Sequence, residues 1–486
     1  MGIGHRRSVA RAAGIAAVAL AVTAGTIGAA GAAPGGDGAA RPGANRLEGV
    51  WQADGYGTIV EVHGTAFTTY DVTRISCTPG FLSGTQVGAP GGGGAVRYGR
   101  PGKGFGELTV TPRGRDRAVY KEDSSVGTKN LSRLPGGLPA RCTRPAPQDA
   151  LAVFDRFWAT FEENYPFFAA KGIDWRARGA QARATITPQT GTTALAEIIK
   201  GLLEPLGDAH TFLGRKAADG GYDLVFGGLR PGTEEPTDQV REQAGRAVAA
   251  QLIAPEQPFG RGRLGVGELP GGIGYLRVSG FDEYVDDGSY QQQAAELDKA
   301  LDLVLAHPGR LNGLVIDLRL NGGGSDELGL RIASRLTDRP YQAYRKVARN
   351  DPADPTAFTR PQPVTVRPAA GATRYTGPVA LLTAGSTVSA GETFTQAMAG
   401  RGPQVTRIGE NTQGVFSDVM LKPLSDDLLV GLPNEKFLTR DGSTFDGPGI
   451  PPDVRTPVFT AEELAGLKDS ALTEARRLLA AGSGHR

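Results

Sequence analysis

Thr387-Val388-Ser389-Ala390-Gly391-Glu392 joins an apolar, strand-like run, Pro378 to Leu382, to a helix-like run, Thr393 to Met398. A serine at such a junction presents its hydroxyl beside the free backbone N–H groups of a helix N-terminus. That arrangement suits a nucleophile that must generate and hold an oxyanion. The plainer account makes Ser389 an ordinary helix cap. Two other segments weigh against it, Asp317-Leu318-Arg319-Leu320-Asn321-Gly322-Gly323-Gly324 and Leu206-Gly207-Asp208-Ala209-His210-Thr211. A serine hydroxyl is a weak nucleophile and needs a base. The chain has five histidines. His5 and His485 lie near the termini, His307 precedes Pro308 at a helix end, and His63 adjoins Gly64 in a turn-like position. His210, among loop-forming residues, is the remaining candidate.

Gly322, Gly323 and Gly324 follow a buried strand-like run and precede a helix. Glycines there permit positive φ and close backbone approach. A tight turn without a ligand is the plain account. A phosphate cradle would call for a nearby Lys, whereas Ser325, Asp326 and Glu327 follow. An oxyanion hole fits better, with one donor from the Gly322/Gly323 backbone and the other from Ala390.

Taken in order, these segments resemble the serine peptidase family of C-terminal processing proteases, the tricorn protease core and the interphotoreceptor retinoid-binding protein repeats. The matching pieces are Asp317 to Gly324, Ser389 to Glu392, Gly409-Glu410-Asn411-Thr412-Gln413-Gly414, Asp441-Gly442 and Gly449-Ile450-Pro451-Pro452-Asp453. The resemblance covers about Asp149 to Val458 and implies an α/β core of ClpP/crotonase-like type. It further implies hydrolysis of peptide bonds in a peptide or protein substrate, with no metal or nucleotide cofactor. Processing proteases place a catalytic Lys just after the last glycine loop; Val415 stands there, which excludes that dyad. The tricorn-like branch uses Ser and His, implying Ser389 and His210, with an acid before the Gly-Ile-x-Pro-Asp segment. Asp446 occupies that place, and Glu435 is an alternative upstream. Asp208 competes for the orienting role, since residues two apart on an extended segment face one side. The branch's orienting Ser before the His is Ala209 here. The rival function is a non-catalytic binding protein of the same fold for apolar ligands or peptides, which would not need both Ser389 and His210. Tricorn-like relatives often assemble; the sequence leaves the oligomeric state open.

At 486 residues the chain suggests two or three domains. Basic His5, Arg6, Arg7 and Arg11, then the uncharged run Ala12 to Ala30 and Ala30-Gly31-Ala32, predict a cleaved signal peptide over 1–32 and a secreted protein. Its removal lowers Lys+Arg from 53 to 50 against 51 Asp+Glu. A near-neutral chain points to neither nucleic acid nor an anionic membrane, and no later segment is long and apolar enough for stable membrane insertion after signal cleavage. A Gly/Ala/Pro-rich linker over 33–46 leads to short strand-like runs between Gly-rich turns, predicting a separate small all-β domain over 47–144. Helical periodicity then marks a segment over 148–215 that carries His210, and 216–270 is a connecting region. Alternating strands and helices predict an α/β peptidase core over 271–459, and Thr460-x-x-Glu463 opens a final helix and tail over 460–486. Cys77 and Cys142, an even pair in an exported chain, read as one disulfide, with two buried thiols as the alternative.

Overall fold

The computed structural model describes residues 46–482 apart from 101–102. The expected signal peptide, and all but the last residue of the expected linker, lie outside the described residues. The first nine strands are β1 (Gly49–Ala53), β2 (Thr58–His63), β3 (Ala66–Val72), β4 (Cys77–Pro79), β5 (Gly84–Gln86), β6 (Val96–Arg100), β7 (Lys103–Pro112), β8 (Arg117–Glu122) and β9 (Lys129–Arg133). They form one antiparallel sheet, and β2 pairs with both β1 and β3, so the sheet closes into a small barrel. Closure removes the free edges. Alternation along the strands sends Trp51, Val60, Val62, Phe67, Tyr98, Val110 and Leu131 into its core.

Cys77 and Cys142 form a disulfide across 65 residues, tying the barrel to the start of the helical segment. In the loop-entropy account such a bridge stabilises by roughly 4 kcal/mol. Mass spectrometry of the unreduced protein is expected to find the bridged peptide; two free thiols would reject the bridge.

Three helices follow, α1 (Ala150–Asn164), α2 (Trp175–Arg183) and α3 (Thr192–Leu203). Asp149 caps α1 by accepting the Ala152 N–H. Phe154, Phe157 and Phe161, three and four residues apart, share one face of α1 and pack with Trp175, Leu195, Ile199 and Val430. Beyond His210 come β10 (Phe212–Lys216), β11 (Tyr222–Gly227) and α4 (Asp238–Ala249).

The core sheet begins with β12 (Gln257–Phe259), β13 (Leu264–Leu269) and β14 (Ile273–Val278), which are antiparallel neighbours. Next in the chain are α5 (Tyr290–Val304), β15 (Gly313–Asp317), α6 (Asp326–Ser334), β16 (Tyr341–Ala348), β17 (Gln362–Val366), β18 (Val379–Thr383), α7 (Ala390–Ala399) and β19 (Val405–Gly409). Strands β14, β15, β18 and β19 run parallel in that order. Every residue of β15 and β18 is buried, as expected where helices cover both faces. One face, with Leu314, Ile316 and Leu381, packs on α5, α6 and α7. The chain ends with β20 (Val419–Pro423), β21 (Leu428–Pro433), β22 (Glu435–Leu438), β23 (Val454–Arg455), α8 (Ala461–Ala465) and α9 (Ser470–Gly482). The other face of the core sheet, with Val315, Ala380 and Leu382, packs on Leu472, Ala475 and Leu479 of α9.

Two arrangements differ from the sequence reading. Strands β20 and β21 join β10 and β11 in a separate four-stranded sheet. The pairing of Phe212 with Gly431 therefore attaches the histidine segment to the later chain. The barrel, too, is not set apart. Its Tyr56 hydroxyl donates to Glu435 at 2.6 Å, Ser125 donates to Asp418, and Ser325, the cap of α6, donates to the Ser124 carbonyl at 2.7 Å. Buried Lys346 sits between Glu435 at 3.0 Å and Asp418 at 3.3 Å, so these charges are paired where the barrel meets the core. Among the described residues, no helix is long and apolar enough to cross a membrane.

Candidate active site

Ser389 lies at the carboxyl end of β18, one residue before α7. Its backbone is not that of an ordinary cap. Asp149, Thr237, Ser289, Ser325 and Thr460 cap helices with φ between −84° and −62° and extended ψ. Ser389 has φ 56° and ψ −120°, a conformation costly for any residue with a Cβ. Neighbouring bonds hold it there. Its N–H donates to the Val415 carbonyl at 3.1 Å, and the Thr387 hydroxyl donates to the Leu318 carbonyl at 2.8 Å. Gly323 abuts it so closely that a Cβ on Gly323 would lie 2.7 Å from the Ser389 Cβ. Only glycine fits, so the glycine loop and the serine form one unit.

Asp317 and Arg319 hold that loop from below. The Arg319 guanidinium, 1 % exposed, binds Asp317 and, through two bonds of 2.7 and 2.8 Å, Asp469 beside α9. The Gly322 N–H donates to the Ser279 carbonyl at 3.1 Å, and the Gly323 N–H to Asn321 Oδ1 at 2.9 Å. Both expected oxyanion donors on the loop are therefore engaged. The Ala390 N–H, first of α7, has no acceptor among the described residues.

His210 is 1 % exposed, and neither ring nitrogen has a hydrogen-bond partner among the described residues. The Ser417 backbone faces the ring and favours its protonated form without reaching hydrogen-bond geometry. Burial nonetheless dominates and lowers the His210 pKa, outweighing the opposing pull of Asp208 and Asp418. A neutral imidazole is the form a general base requires. Ala209 packs with Val388 and Val415, which brings the histidine segment against the turn that carries Ser389.

Asp208 holds the main chain of this segment. Its carboxylate accepts the His210 N–H at 2.9 Å and the Tyr165 hydroxyl at 2.8 Å. Asp446 accepts the Thr444 hydroxyl at 2.5 Å and the Phe416 N–H at 3.4 Å. Burial, reinforced by Asp208, pushes its carboxyl up to about 7. Neither acid meets the imidazole, and Glu435 is committed to Tyr56 and Lys346. In place of a carboxylate on the ring, the fold provides carboxylates along the facing loop. Glu392 accepts the N–H groups of Gly414 at 2.6 Å and Val415 at 2.8 Å; Glu435 accepts that of Asp418 at 3.0 Å. Burial raises the Glu392 carboxyl to about 8 despite these bonds. That Glu392 clamps this loop shows only in the fold. Nothing in the sequence marked Tyr165.

Asp208→Ala is expected to lower turnover roughly tenfold or more, the scale of losing hydrogen bonds to a buried carboxylate. Asp446→Asn keeps an acceptor for Phe416 and should cost less. Steady-state kinetics on both variants decides the ranking, and the reverse order would move the histidine's support to Asp446.

Residues 272–456 match the family model described as Peptidase family S41. No curated protein matches the chain. Among solved structures, a candidate peptidase from Parabacteroides merdae aligns at 24% identity and a TM-score of 0.57, over 68% of this chain and 97% of that one. Mature CPAF complexed with lactacystin aligns at 12% identity and a TM-score of 0.49, over 70% and 99%. The tricorn protease aligns at 15% identity and a TM-score of 0.42, over 88% of this chain and 46% of that one. The first of these likenesses is one of fold.

Proposed function

Residues 272–456 place this chain in peptidase family S41, and from that membership we propose a Ser–His mechanism carried by Ser389 and His210. The chain is a serine-type peptidase. In the proposed reaction Ser389 Oγ attacks the scissile carbonyl carbon while neutral His210 takes its proton. The carbonyl oxygen, now charged, receives the open Ala390 N–H and a second donor from the Gly322/Gly323 backbone. That second donor must leave its present acceptor, Ser279 or Asn321, as the charged oxygen arrives. His210 then gives the proton to the leaving amine, and water hydrolyses the acyl-enzyme by the same steps in reverse roles.

The observation that carries this reading is the strained backbone of Ser389 with Gly323 pressed against it. A cap needs neither feature. We further propose that the enzyme works outside the cell, which the Cys77–Cys142 disulfide supports, since such bridges persist in oxidising compartments. Its substrates are peptides or proteins. A fluorophosphonate probe followed by peptide mapping is expected to label Ser389. Folded protein that takes up no label there would favour the non-catalytic binding alternative.

A further inference from the structure

One turn of the barrel reaches into the core. Gly55, Tyr56 and Gly57 lie between β1 and β2, and all three have positive φ, 79°, 65° and 53°. That conformation is rare for a bulky side chain, and observed strain of this kind clusters at functional sites. The glycines let the turn press on its neighbours: a Cβ on Gly55 would lie 2.6 Å from the Arg349 carbonyl oxygen, just past β16. Buried Lys422 secures the turn by donating to the Tyr56 carbonyl at 2.9 Å and to Asp71 at 2.6 Å. The Tyr56 side chain, itself buried, is thereby aimed out of the barrel at Glu435.

What Tyr56 reaches is the back of the loop that faces His210. Its hydroxyl donates to one oxygen of Glu435 at 2.6 Å, and the other oxygen accepts the Asp418 N–H at 3.0 Å. The barrel grips the same residue a second time, since the Ser125 hydroxyl donates to the Asp418 carboxylate. Ser417, one residue earlier, is buried, and its hydroxyl accepts the N–H groups of Asn434 at 3.3 Å and Glu435 at 3.2 Å. The Ser417 backbone favours the protonated form of the His210 ring. Only an acceptor does that, so the group facing the ring is the Ser417 carbonyl.

A histidine base works best when its second ring nitrogen is held by an acceptor that sets tautomer and direction. Neither nitrogen of His210 has a partner among the described residues, and the Ser417 carbonyl is the acceptor placed to take one. We propose that Tyr56 and Ser125 of the barrel are positioning residues for His210: through Glu435 and Asp418 they hold the Ser417 carbonyl against the imidazole. The proposal rests on the Ser–His reading and adds the part the barrel plays in it. Asp418 has a second effect. Asp208, from the histidine's own segment, and Asp418, from the facing loop, are the charged groups that act on the ring, and both favour imidazolium against burial. The Asp418 carboxylate therefore stabilises the ring once it has taken the serine proton.

The test is fluorophosphonate labelling of Ser389 in the full-length enzyme, read as the maximal rate kinact and the half-saturating concentration KI. The double variant Tyr56→Phe/Ser125→Ala is expected to lower kinact by about 10- to 100-fold, the scale on which a catalytic group slightly out of place loses rate, with KI unchanged. Ser125→Thr, which keeps a hydroxyl, should stay near the wild type. Lys121→Gln cuts a different contact between barrel and core, the partly exposed pair with Glu327, and should also stay near the wild type. Asp418→Asn keeps an acceptor for Ser125 and removes the charge, so the acid limb of kinact should move to lower pH. A double variant that melts like the wild type and labels at the wild-type rate overturns the proposal. So does an equal loss from Lys121→Gln, which would make the barrel a general support of the fold. If Tyr56→Phe does not fold, half-buried Ser125→Ala alone decides between the same two outcomes. An acid limb unmoved by Asp418→Asn overturns the electrostatic role of Asp418. Failure of the Ser–His reading looks different: the wild type would not label at Ser389, or His210→Ala would label as fast as the wild type, and either result removes this proposal with it.

Discussion

Ser389→Ala is expected to abolish peptidase turnover and to leave the fold intact. The expected loss is on the order of 10³-fold or more, because in the proposed reaction the hydroxyl is the atom that bonds to substrate. The fold survives because the substitution keeps the Cβ that already packs against Gly323. It also keeps the strain, since alanine at φ 56° is no more comfortable than serine. Ser389→Gly separates these effects. Glycine accepts φ 56° and ψ −120° readily, so that variant should be equally inactive yet unfold at a higher temperature than Ser389→Ala. Kinetics on the purified variants, with thermal melts beside them, makes the comparison. An alanine variant that retains most of the wild-type kcat/KM would show that Ser389 is not the nucleophile. Equal melting of the two variants would show that the backbone at 389 stores no strain worth releasing.

The parts of this site that could be read from sequence are those written in short range. The strand-to-helix junction at Ser389, the glycine run after β15 and the caps at Ser325 and Thr460 depend on residues within one turn of each other, and the structure places β15, β18, α6 and α7 where their patterns suggested. What sequence could not supply is pairing across distance. Phe212 lies opposite Gly431 because β21 crosses to the histidine segment, and no local pattern names that partner. The barrel closes through the pairing of β2 with β3 and β1 alike, and its Ser124 and Ser125 reach Ser325 and Asp418 two to three hundred residues on. The region after His210 was hardest to read because a loop from Gly228 to Thr237 has no periodicity. Arg230 anchors it on the carbonyls of Gln413 and Thr412 at 3.0 Å. Helix α4 then buries only Ala244, Ala247 and Val248, a stripe too thin to stand out. The same limit explains the orienting acid. Family resemblance named a position, Asp446, but the direction of a carboxylate is set by Thr444 and Phe416, which only the fold brings to it.

His210→Ala is expected to lower kcat by about 10²- to 10⁴-fold, the contribution of a positioned general base, with Ser389 still present but rarely deprotonated. The pH profile provides the sharper signature. The base works as neutral imidazole, and an unperturbed histidine loses its proton near pH 6.5. Burial lowers the pKa of His210, so the acid limb of kcat/KM should fall below about pH 6.5. The same shift bears on stability. The folded protein holds His210 neutral at a pH where the unfolded chain would bind a proton, so stability should weaken as pH drops below about 6.5. The raised carboxyls of Asp446, about 7, and Glu392, about 8, act in the opposite direction. In the fold they keep protons that the unfolded chain has already released, and their contribution declines as pH rises from the ordinary carboxylate range through those values. Both groups hold the loop 414–416, whose Val415 carbonyl fixes the Ser389 N–H. A kcat/KM profile with its acid limb below about pH 6.5 and a decline above about pH 8 is therefore expected of the wild type. Glu392→Gln, which cannot ionise, should move the alkaline decline while leaving the acid limb in place. An acid limb that appears only above about pH 8 would reject His210 as the base, because an imidazole whose pKa is lowered by burial loses its proton well before that.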